Sequence, residues 1–74
     1  MIETLLDACQ FVLELEGAQS SLWLASQVEE MKLWRATEEK VRKALKRDIK
    51  KFGESSRFVE LPNDVFALRS SAAK

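Results

Sequence analysis

Between Thr37 and Gly53 the chain carries the complete signature of one amphipathic helix, and no other segment restricts the fold so tightly. Thr37 has a side-chain oxygen able to accept from helix N–H groups, and Glu38 and Glu39 place negative charge at the positive end of the helix dipole. Gly53 then supplies a residue free to leave the helix. At 100° per residue, Val41, Ala44, Leu45, Ile49 and Phe52 share one side. Lys43, Lys46, Arg47 and Lys50 fall opposite, with Lys40, Arg42 and Lys51 beside them. A helix over Glu38 to Phe52 is therefore predicted, with one buried side and one cationic side.

The rest of the chain must supply the cover for that apolar side. Leu5, Leu6, Cys9, Val12 and Leu13 recur at helical spacing between Glu3 and Glu16, and Gly17 closes the run. Ala18 to Ser21 reads as a loop whose serines cap a short second helix with Leu24, Val28 and Met31 as its stripe. After the third helix, Arg57 to Leu61 and Val65 to Arg69 are β-prone, and Pro62-Asn63-Asp64 between them is turn chemistry. An isolated hairpin is marginal in water, so Phe58, Phe66 and Leu68 are expected to pack on the helices. Three helices followed by a β-hairpin give an α+β, mainly α, winged helix-turn-helix over residues 1–69, with 70–74 as a frayed tail or linker. A plain three-helix bundle with an ordered tail is the alternative.

With 74 residues the chain supports one small core. Its net charge of zero hides a separation, since residues 1–31 hold six acids and no Lys or Arg, whereas 32–57 hold ten Lys or Arg against four acids. That asymmetry points to one face made for a negatively charged partner. The single cysteine, Cys9, lies in the apolar stripe of the first helix, and histidine is absent. The residues offer no zinc set, no proton-transfer group near neutral pH and no glycine-rich phosphate loop, so an enzyme, a cofactor or a small-molecule substrate is not expected. No apolar run reaches the roughly 20 residues needed to span a bilayer, and the acidic N-terminus does not suit a signal peptide. A cytoplasmic or nuclear, non-secreted protein is the expectation.

Ala44-Leu45-Lys46-Arg47-Asp48-Ile49, Gly53-Glu54-Ser55-Ser56-Arg57-Phe58 and Phe66-Ala67-Leu68-Arg69 together resemble the HARE-HTH domain, a winged helix-turn-helix module, and Leu33-Trp34 fits the same pattern. The first half resembles the family in helical pattern alone. Gly17-Ala18-Gln19-Ser20-Ser21-Leu22 and Asn63-Asp64-Val65 depart from its usual turns. Members occur in chromatin regulators, in restriction enzymes and in the delta subunit of bacterial RNA polymerase. The resemblance implies a DNA-directed or transcription-associated adaptor.

Lys40, Lys43, Lys46, Arg47 and Lys50 are thus the candidate contacts to double-stranded DNA, with Arg35 and Arg57 as auxiliaries. Because lysine is a mobile point charge, weak sequence preference is expected. A protein-interaction adaptor without DNA binding is the second reading, with Phe11 and Trp23 as possible protein contacts. Asp48 falls within the core-facing arc and needs a partner, for which Arg57, the Trp34 indole or the Ser55-Ser56 backbone are at hand. Asp48, Trp34, Phe58 and Phe66 are accordingly expected to be structural.

Overall fold

In the computed structural model, which describes residues 2–72, three helices precede a hairpin that gains a third strand. The elements are α1 (Leu5–Glu16), β1 (Gln19–Ser20), α2 (Ser21–Glu30), α3 (Glu38–Phe52), a 3-10 turn (Gly53–Ser55), β2 (Phe58–Leu61), β3 (Val65–Leu68) and a final helical turn, α4 (Arg69–Ala72). The antiparallel sheet has the order β1-β3-β2. The chain is thus α+β, mainly α, with a winged-helix-like layout.

The helices α1, α2 and α3 each start where a hydroxyl meets a free N–H. Thr4, Ser20 and Thr37 accept from the backbone N–H groups of Asp7, Trp23 and Lys40 at 3.1, 3.1 and 3.2 Å. The first helix therefore begins at Leu5, two residues after the expected Glu3. Gly17 (φ +82°) and Gly53 (φ +56°) end α1 and α3 in the left-handed region that glycine enters without a Cβ penalty. The second helix ends the same way without glycine. Lys32 takes φ +58° and the N–H of Leu33 bonds back to Val28 O at 2.9 Å.

That reversal turns Leu33 inward and Trp34 outward. The core comprises Ala8, Cys9, Val12 and Leu13 of α1, Leu24, Ala25 and Val28 of α2, Val41 and Leu45 of α3, and Phe58, Phe66 and Leu68 of the sheet, with Ala36 filling the α2–α3 corner. Two stripe assignments need correction. Met31 follows the last residue of α2 and is exposed, while Phe52, in the last turn of α3, projects past the core and is 48% exposed. Helical angle assigns a side but does not guarantee that something covers it.

Strand β1 was not anticipated, because two residues carry no periodicity. Gln19 pairs with Phe66 and Ser20 with Val65, so the loop before α2 makes β3 the central strand. The hairpin turn has the expected position, and Asn63 and Asp64 both adopt left-handed conformations (φ +65° and +60°), which Asn and Asp tolerate. The final helical turn α4 crosses the expected boundary, since residues 70–72, expected in a frayed tail, continue as helix from Arg69; residues 73–74 lie outside the described residues.

Candidate nucleic-acid interface

The cationic side of α3 faces away from the core, as the buried Val41 and Leu45 require. Lys43 stands 76% exposed, its ammonium 3.2 Å from Glu39, an i,i+4 surface pair. Lys46 leans the other way, its ammonium 3.6 Å from Glu60 of β2. Pairs this exposed contribute about 0.2–1 kcal/mol each, too little to withhold either lysine from a polyanion. Lys40, Arg47, Lys50 and Lys51 are exposed and form no ion pair among the described residues. Arg35 is exposed in the α2–α3 connection, beside Trp34 and Lys32.

Arg57, expected as an auxiliary contact, lies at the base of the hairpin against α1. Its guanidinium donates to Asp7 Oδ1 at 3.0 Å and also to the Gln10 side chain of α1. The basic base of the hairpin therefore neutralises part of the acidic first helix. Asp7 carboxyl is held below the ordinary carboxylate range, chiefly by the backbone N–H of Glu3 and next by Arg57.

Asp48 is half-buried, and its partner is the one the sequence left out of consideration, the Ser56 hydroxyl, which donates to Oδ2 at 2.6 Å. That hydroxyl also accepts from the N–H of Phe58 at 3.1 Å, so Asp48, Ser56 and the first residue of β2 form one chain linking α3 to the sheet. Trp34, expected among the structural residues, is 40% exposed, while its neighbours Leu33 and Ala36 pack into the core. Phe58 and Phe66 are fully buried.

Two further residues escaped sequence reasoning. Asp64, in the hairpin turn, accepts from the Ser21 hydroxyl and from Arg42 Nε at 3.3 Å, while its carbonyl accepts from the Ser21 N–H at 3.1 Å. These contacts, Ser21 first and then Arg42, keep its carboxyl below the usual range against the opposing effect of burial. Arg69 donates to the carbonyls of Ser56 at 2.7 Å, Gly53 at 2.9 Å and Phe58 at 3.3 Å, closing the 3-10 turn over the hairpin. The Asn63-Asp64 turn residues were the available sequence signal for the first; no local signal marks the second.

Between the start of α1 and the outer flank of α3 lies an open groove of about 510 Å³. Leu5, Leu6 and Phe52 provide apolar lining, and Lys43, Arg47 and Lys51 line it from α3. Phe11 and Trp23, the possible protein contacts, are both about half exposed, and the indole N–H of Trp23 donates to Glu16 at 2.6 Å. Among the described residues no helix is long and apolar enough to cross a membrane. Comparison with models of known protein families, with curated proteins and with solved structures gave no match.

Proposed function

We propose that this domain binds double-stranded DNA through the outward side of α3, chiefly by phosphate contacts and with weak sequence preference. The observation that carries the reading is that Lys40, Arg47, Lys50 and Lys51 stand exposed on one helix with no ion pair among the described residues, and Lys43 is only weakly paired. A face of this kind gains counterion-release free energy from a polyanion. An α-helix fits the major groove, about 12 Å wide. The resemblance to HARE-HTH modules supports the same assignment, in a transcription, chromatin or restriction context.

Lys46 and Arg35 extend the face, whereas Arg57 is committed to Asp7 and Gln10 and drops out of the contact set. The hairpin contributes little charge, because Glu60 sits beside Lys46 and Asp64 is turned toward Arg42. Contacts from a helix without a basic wing should be few, which favours weak, salt-sensitive binding.

The test is a fluorescence anisotropy titration of a labelled duplex. For three or four phosphate contacts, raising salt from about 50 to about 200 mM should weaken binding roughly 40- to 150-fold. Arg47→Glu/Lys50→Glu should abolish it while leaving the melting temperature near that of the native chain. Absence of binding at the lower salt overturns the proposal.

A further inference from the structure

Phosphates explain the cations of α3 but not the apolar lining beside them. Leu5, Leu6 and Phe52 face an open groove bordered by Lys43 and Arg47, and a nucleic-acid backbone offers nothing to cover that lining. The chemistry that fits both halves is a helix surface bearing exposed apolar side chains among carboxylates.

This chain presents such a surface on its other flank. Leu15 is 61% exposed, Phe11 and Trp23 are about half exposed, and Glu14 and Glu16 stand beside them. Residues 1–31 contain no Lys or Arg of their own, and the cation Arg57 is paired with Asp7 of α1. At 100° per residue, Phe11 and Leu15 lie about 140° and 180° round α1 from Leu6, so patch and groove occupy opposite flanks of the same helix. The indole N–H of Trp23 donates to Glu16 at the end of α1.

We infer that two copies of this chain associate head to tail, the Phe11–Leu15 flank of α1 in one copy seating in the Leu5–Leu6–Phe52 groove of the next. Charge complementarity selects this orientation. The acidic segment 1–31 carries six acids without a cation, and segment 32–57 has a surplus of cations, so unlike faces attract and like faces repel. Zero net charge leaves no long-range self-repulsion to oppose the encounter. Because the two surfaces differ, the contact is heterologous and each added copy offers a new groove. Lys43 and Arg47 belong also to the proposed DNA face, so duplex and second copy compete.

Sedimentation velocity on the full chain tests this from about 10 μM to about 1 mM at about 0.01 M and about 0.15 M salt, between which the screening length falls from ~30 to ~8 Å. The weight-average mass should rise above the 8.5 kDa of one chain with concentration, and less so at the higher salt. Lys43→Glu/Arg47→Glu, which spoils the groove, and Phe11→Ser/Leu15→Lys, which spoils the patch, should each remain monomeric with native helicity by circular dichroism. Mixed in equal amounts, they should form a dimer that grows no further, since one intact groove and one intact patch remain. Any of three results overturns the inference: a monomeric native chain throughout, association untouched by both pairs, or a mixture that stays monomeric. Duplex titration of Phe11→Ser/Leu15→Lys keeps the two proposals apart. It should bind DNA at least as tightly as the native chain, since no second copy competes for its groove; failure of both chains to bind duplex removes the DNA reading and leaves this one standing.

Discussion

Replacing Asp64 with alanine should cost this domain about 2–5 kcal/mol, although the residue sits at a hairpin turn. Three contributions make up the figure. The Ser21 hydroxyl, fully buried, loses its acceptor, and an orphaned buried hydroxyl costs about 1–3 kcal/mol. The ion pair with Arg42, a third exposed on each side, adds about 0.2–1 kcal/mol. Alanine at φ +60° adds roughly 1 kcal/mol that aspartate largely escapes. A domain of 74 residues has a total stability of about 4–11 kcal/mol, so the loss is a large share. Urea unfolding followed by circular dichroism measures it. Asp64→Gly should be less damaging than Asp64→Ala by about 1 kcal/mol, because glycine removes the strain and not the hydrogen bonds. A double-mutant cycle with Ser21→Ala should show coupling of about 1 kcal/mol or more. The depressed carboxyl also sets a sign with pH: its contribution is present above the ordinary carboxylate value of about 3.9 and is lost as pH falls through the lower folded value. Asp64→Asn should lack that part of the acid loss. A cost below about 0.5 kcal/mol for Asp64→Ala, or no coupling to Ser21, refutes the reasoning.

Other substitutions probe single features. Lys32→Gly should stabilise the chain by about 0.5–1 kcal/mol, and Gly53→Ala should destabilise it by about 1 kcal/mol, both through left-handed backbone, as nothing lies within 4 Å of a Cβ at Gly53; urea midpoints report both. Cys9, whose thiol burial pushes up to about 12, should react with a thiol reagent only at the rate of unfolding, and fast labelling of the native chain contradicts its burial. Asp48→Ala should lower the melting temperature by several degrees through loss of the Ser56 link while changing duplex affinity less than threefold; unchanged melting contradicts the structural role.

What the sequence made legible was whatever repeats or caps. The 3.6-residue spacing of Val41, Leu45 and Ile49, bracketed by Thr37 and Gly53, defines α3 and with it the cationic face, and Pro62-Asn63-Asp64 marks the hairpin turn. Strand β1 was illegible because its stability comes from pairing with Val65 and Phe66 of β3, far along the chain, not from its own two residues. The exposure of Phe52 and Trp34 was missed for a related reason, since spacing says which side a residue shares and not where the neighbouring element ends. Arg57 was legible as a cation but not as a partner of Asp7, a pairing made only when the hairpin folds back on α1. The anchoring of Asp64 by Ser21 and Arg42 depends in the same way on three elements meeting at one carboxylate.

The account stands or falls on where a polyanion touches the surface, and amide chemical-shift mapping of the 15N-labelled chain during titration with a short duplex at low salt measures that most directly. Shifts concentrated on residues 40–51, with Arg35 following, are the predicted result. Shifts confined to residues 1–31, or a spectrum that does not change, would contradict it.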